Sequence, residues 1–191
     1  MTPKLILTGF MATGKSSVGP IVARRLGWEF IDSDAVIVAR AKKPVAQIFA
    51  DDGEAQFRKF EREAVALLAG DLRRCPQCHG PFPSVISTGG GVLVDDANCD
   101  ALKRAGVIIC LTARPEVLAA RIDRSKTKRP KLTESGKSTL DRVSELMSER
   151  AEAYARADAQ VDTSDLSADQ VAALVLDAFS AHAARRCLPP A

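Results

Sequence analysis

Aromatic side chains are scarce in this chain of 191 residues, which has seven phenylalanines, one tryptophan and one tyrosine. That is too few for the stacking platforms on which proteins hold unpaired nucleic-acid bases. Net charge is nearly absent as well: 27 Lys and Arg against 24 Asp and Glu leave +3, which gives no electrostatic reason to expect a nucleic-acid partner. No run approaches the ~20 apolar residues of a membrane helix. Nothing near the N-terminus is built like an export signal, because the apolar run at 5–7 is strand-length and leads straight into a glycine turn. Internal repeats and interdomain linkers are missing too. The expectation is a cytoplasmic protein, monomeric and without membrane or nucleic-acid partners, whose five cysteines are reduced thiols.

What is present is the balance of an ordinary globular domain, 46% hydrophobic and 27% charged. Strand-like apolar runs at 5–8, 29–31, 84–88, 107–111 and 160–162 alternate with helical patterns at 16–26, 54–69, 96–103, 115–121, 140–155 and 168–181. Ser167 is placed to cap the last helix. Alternation of this kind predicts an α/β fold with a parallel sheet covered on both faces. The domain is expected to span 1–184, with a frayed tail at 185–191. Two excursions interrupt the rhythm, one at 73–83 and one at about 124–139.

Gly9-Phe10-Met11-Ala12-Thr13-Gly14-Lys15-Ser16 satisfies G-x-x-x-x-G-K-[ST], directly after a strand and before a helix. Backbone N–H groups of such a loop point at phosphate oxygens, and the helix N-terminus adds its dipole. Ala12, Thr13, Gly14, Lys15, Ser16 and Ser17 are therefore candidates to hold ATP, with Lys15 on the β/γ-phosphates and Ser16 on Mg²⁺. A phosphate loop identifies the donor nucleotide but not the acceptor.

Strand two ends in Asp32-Ser33-Asp34. If the strand persists, both carboxylates face one way. One could hold the metal's water shell while the other orients the attacking hydroxyl and takes its proton; the alternative is a helix cap or turn. In Gly53-Glu54-Ala55-Gln56-Phe57-Arg58-Lys59-Phe60-Glu61, a helix puts Glu54 and Glu61 on the face of Arg58. That is either an exposed helix laced with weak pairs or a guanidinium held ready for a substrate carboxylate. Gly89-Gly90-Gly91 after the third strand permits close backbone approach to a ligand. Arg121, Arg124, Lys126, Lys128, Arg129 and Lys131 face only one acid, Asp123, in a run that is either a solvated loop or a flap meeting polyphosphate.

Together these segments resemble the shikimate kinase family, whose pattern is G-F-M-x-x-G-K-S, D-x-D, G-E-x-x-F-R-x-x-E, G-G-G, an R-P in a basic lid and an Arg-x-x-x-Tyr helix. Here the last two are Arg129-Pro130 and Arg150 with Tyr154. The resemblance covers about 4–180 and implies a five-stranded parallel sheet, order 2-3-1-4-5, in a three-layer P-loop fold. It implies that ATP, with Mg²⁺, phosphorylates the 3-hydroxyl of shikimate. Asp34, Arg58, Gly89, Gly90, Gly91 and Arg150 would bind shikimate, Asp34 also serving as base. Ser16 and Asp32 would organise Mg²⁺, the latter through water. Lys15 and Arg129 would neutralise the transferring phosphoryl group, and the basic run would be a lid.

Three departures stand out. Ala12 replaces the family's usual glycine, which the general motif tolerates. The segment 162–166 lacks the arginine that often packs on adenine, leaving Arg121 to help from the other side. Segment 73–83 contains Cys75-Pro76-Gln77-Cys78-His79, formally a haem-attachment string, which the absence of an export signal argues against. Cys75, Cys78 and His79 could contribute to a zinc site, but a closed site wants four ligands and no second C-x-x-C exists; the plain alternative is a surface loop. Competing functions are a non-catalytic nucleotide-binding module and a kinase for gluconate or a nucleoside monophosphate.

Overall fold

The computed structural model describes residues 4–70, 83–125 and 137–186. Cys75, Cys78, His79 and Arg129 lie outside the described residues, as do most of the basic run and the end of the tail.

Five strands form one parallel sheet in the order β2-β3-β1-β4-β5: β1 Lys4–Gly9, β2 Glu29–Asp32, β3 Ser84–Ser87, β4 Val107–Thr112 and β5 Ala159–Asp162. β1 is central and buried along its whole length. Its alternating side chains feed two cores. Leu5 and Leu7 pack with Val18 and Val22 of α1 (Lys15–Leu26) and with Val171, Val175 and Phe179 of the C-terminal helix. Ile6 faces the other way, joining Ile86, Ile108, Val65 and Leu102. A strand buried on both faces reads as a continuous apolar run, which is why the pattern at 5–7 was diagnostic.

The remaining helices are α2 Ser33–Ala41, α3 Val45–Asp51, α4 Gly53–Ala69, α5 Asp96–Ala105, α6 Pro115–Arg124, α7 Thr139–Glu149, α8 Ala151–Ala155 and α9 Ala168–Arg186. The Ser167 hydroxyl accepts from the Gln170 N–H at 3.3 Å, the expected cap of α9. No described helix is long and apolar enough to cross a membrane.

Two expectations need correction. The second strand stops at Asp32, and Asp34 lies in the first turn of α2. Asp32 Oδ1 accepts the Asp34 N–H at 2.9 Å, so the two acids are not alternate residues of a strand and Asp32 does act as a helix cap. The helix expected over 140–155 is broken at Arg150, whose φ of −108° and ψ of 3° end α7 and begin α8.

Candidate active site

The phosphate loop owes its path to steric limits at its first residue. Gly9 has φ +129°, and a Cβ there would come within 2.1 Å of the Leu111 carbonyl oxygen, so only glycine lets β1 turn beside β4. Thr13 Oγ1 then ties the loop by donating to the Phe10 carbonyl at 2.8 Å. Lys15 Nζ donates to the carbonyls of Gly9 (2.8 Å) and Phe10 (2.9 Å), which places its charge inside the curve of the loop. Ala12 sits at φ +62°, a left-handed conformation that costs an alanine about 1–2 kcal/mol more than a glycine. The departure from the family's glycine is thus tolerated, with strain.

The loop opens onto a cleft of about 530 Å³, to which Ser16, Asp32, Asp34, Gly90 and Arg121 also contribute. On the far wall Arg121 donates to Ala12 O (3.3 Å), Thr163 Oγ1 (3.0 Å) and Thr163 O (2.6 Å), bridging the phosphate loop to the segment after β5. That segment is held again by Arg114, paired bidentately with Asp165 at 2.7 and 2.8 Å. Sequence reasoning missed Thr163, the buried partner of Arg121; its hydroxyl has no spacing signal.

Asp34 lines the cleft with Oδ1 buried and, among the described residues, without a hydrogen-bond partner. Desolvation, helped by the charges of Asp32 and Glu61 and opposed by Lys15, raises its pKa from 3.8 to about 6. A carboxylate tuned this way suits a base working near neutrality.

The Arg58 side of the site is organised by α4. Arg58 donates to Glu61 at 2.7 Å and to Glu54 at 2.9 Å, the arrangement its helical spacing predicted. Glu61 is only 3% exposed, so this pair is buried on one side rather than a solvated surface contact. The glycine loop lets these groups come close: a Cβ at Gly91 would lie 3.0 Å from the Arg58 guanidinium, and one at Gly89 would lie 3.1 Å from Glu61 Oε1. Ser33 Oγ fixes that loop by accepting the Gly89 N–H at 3.2 Å. Arg150, 8% exposed, donates from Nη1 to the Gly90 carbonyl at 3.2 Å. Arg58 and Arg150 both line a second cavity of about 610 Å³, together with Phe49 and Leu146.

Among the described residues no cluster of three or more His, Cys, Asp or Glu could cage a metal ion. Ser16 and Asp32 nevertheless line the phosphate-loop cleft together. One hydroxyl and one carboxylate beside a phosphate site match the way Mg²⁺ is held mainly by water and substrate phosphates.

A parallel sheet in the order 2-3-1-4-5, a phosphate loop off its central strand, a carboxylate of raised pKa in the cleft and two arginines in the neighbouring cavity define a P-loop kinase of small molecules. The family model for shikimate kinase matches residues 11–180. The shikimate kinase of Thermodesulfovibrio yellowstonii is 37% identical over 175 residues, covering 92% of this chain and 94% of that one. The shikimate kinase of Geobacter sulfurreducens is 40% identical over 167 residues, covering 87% and 85%. Among solved structures, shikimate kinase from Acinetobacter baumannii in complex with shikimate superposes with a TM-score of 0.82 at 28% identity, covering 95% of each chain. The chain belongs to the shikimate kinase family.

Proposed function

We propose that this protein transfers the γ-phosphate of ATP to the 3-hydroxyl of shikimate, giving shikimate 3-phosphate and ADP, a step in making aromatic amino acids. The observation that carries the reading is the placement of Asp34. Its carboxylate lines the phosphate-loop cleft, beside the 89–91 loop that also meets Arg58 and Arg150. Those two arginines suit a carboxylate on the acceptor, gripped bidentately. With that end fixed, the acceptor hydroxyl would be set between Asp34, which takes its proton, and the γ-phosphate on Lys15. Ser16 and, through water, Asp32 would hold Mg²⁺, which supplies charge neutralisation on the β- and γ-phosphates when bound. Backbone donors from Ala12 to Ser17 and the Arg121 side chain complete the nucleotide site; Arg129 is assigned the transferring phosphoryl group by family resemblance. The same reading makes the protein a cytoplasmic monomer acting on two small molecules.

ADP release measured with a panel of acceptors tests this. Turnover with shikimate is expected; turnover with gluconate or a nucleoside monophosphate instead, or nucleotide binding without turnover, overturns it. In the same assay, Arg58→Ala should raise the acceptor KM about 10- to 100-fold with a smaller effect on kcat, the loss of charge-assisted hydrogen bonds. It also leaves Glu61 buried without its partner, so the melting temperature should fall; Arg58→Lys, which keeps the charge but not the fork, should show the KM effect with less unfolding. Arg121→Ala should act on the other substrate, raising the KM for ATP about tenfold and leaving the acceptor KM unchanged; an acceptor-only effect refutes the assignment of Arg121 to the nucleotide site.

A further inference from the structure

The lone tyrosine of the chain lies against the acceptor site without any role in the reaction described above. Tyr154 is 8% exposed, and its ring packs with Phe10, Cys110, Leu118, Val143 and Leu146. For that packing a phenylalanine would serve. The hydroxyl, however, donates to the Gly90 carbonyl at 2.6 Å, the same oxygen that accepts Arg150 Nη1 at 3.2 Å. Gly90 in turn is pressed against the phosphate loop: a Cβ there would be 3.1 Å from the Gly9 carbonyl oxygen and 3.5 Å from the Met11 nitrogen. Arg150 also stacks its guanidinium 5.7 Å from the centre of the Phe10 ring.

The geometry points to Tyr154 as a positioning residue that aims Arg150 at the acceptor by fixing the Gly90 carbonyl from the opposite lone pair. A carbonyl oxygen has two acceptor sites. With the phenol on one, the Gly90 peptide is held against rotation, and the second site holds Nη1 in one direction. Because guanidinium is planar, the direction of Nη1 also sets that of Nη2 and Nε, the groups that would meet a carboxylate. Arg150 precedes α8 and Tyr154 lies within it, joined by the Tyr154 N–H bond to the Arg150 carbonyl at 2.9 Å, so the clamp is closed through backbone as well. Burial raises the phenol pKa to about 12, which keeps it a donor throughout the working range.

This inference rests on the proposal that Arg150 binds the acceptor carboxylate, and its test separates the two. Steady-state kinetics on both substrates would be measured for wild type, Tyr154→Phe, Arg150→Ala and the double variant. Tyr154→Phe should raise the shikimate KM about three- to tenfold, the worth of one hydrogen bond, with kcat within about twofold and the ATP KM unchanged. In the Arg150→Ala background the same change should have no further effect on kcat/KM for shikimate, because its target is gone. An equal loss in both backgrounds, an ATP KM that rises in parallel, or no change in the shikimate KM overturns the positioning role while the proposed function stands. A wild type inactive on shikimate overturns both.

Discussion

Asp34→Asn is expected to lower kcat about 10²–10⁴-fold, the usual contribution of a positioned general base, while making the protein more stable at neutral pH. The two effects share one cause. Burial, Asp32 and Glu61 lift the Asp34 pKa from 3.8 to about 6, so the folded protein holds this proton to a higher pH than the unfolded chain does. Wild-type stability therefore falls as pH rises from about 4 to about 6 and stays reduced above it; a shift of this size corresponds to roughly 2–3 kcal/mol. Asparagine carries no such penalty. The variant should melt several degrees higher than wild type at pH 7 to 8, and the difference should shrink towards zero near pH 4. The wild-type pH–rate profile should show an acid limb near pH 6, where Asp34 gains its proton. Full activity in Asp34→Asn would falsify its assignment as the base; an unchanged melting temperature would mean the carboxylate is not desolvated as the cleft implies.

Lys15→Ala should lower kcat about 10²–10³-fold, as removal of a preorganised charge at the reacting group does elsewhere. Its ammonium already lies inside the loop, on the carbonyls of Gly9 and Phe10, so little reorganisation separates it from a bound phosphate. The substitution also removes the Lys15 charge that, among the described residues, holds the Asp34 pKa down. Residual turnover should consequently show an acid limb moved above pH 6. A variant with normal kcat, or with a limb displaced to lower pH, contradicts the shared electrostatics of the two residues.

The central strands β1 and β4 were visible in the sequence as apolar runs, and the short strands β2, β3 and β5 as brief strand-like patterns alternating with helical ones. The Arg58 triad was visible because i−4 and i+3 spacing is rigid in a helix. Helices α2 and α3 were not. α2 starts on the residue after β2 with no loop between them, and α3 begins behind Pro44 without a side-chain cap. The break at Arg150 was equally hidden: no glycine or proline marks it, and the residue there contacts Gly90 and Phe10, which are distant in sequence. Glu61 was legible as a partner of Arg58, but its burial, and so its influence on Asp34, depends on the approach of the 89–91 loop. Asp34 entered as a candidate base through the family resemblance, and its geometry differs from the extended strand expected to turn it the same way as Asp32: it reaches the cleft from a helix turn.

The interruption of the helix at Arg150 makes α7 a measuring rod. Its eleven residues, from Thr139 to Glu149, run about 16 Å from the Ser138 cap to Arg150. A residue added within that rod would turn Arg150 by about 100° and move it about 1.5 Å along the axis, out of reach of the Gly90 carbonyl. Residues added in the connection before Ser138 would leave the register untouched. Length changes between related chains should therefore gather ahead of the Ser138 cap, and the count from that cap to the arginine should hold constant.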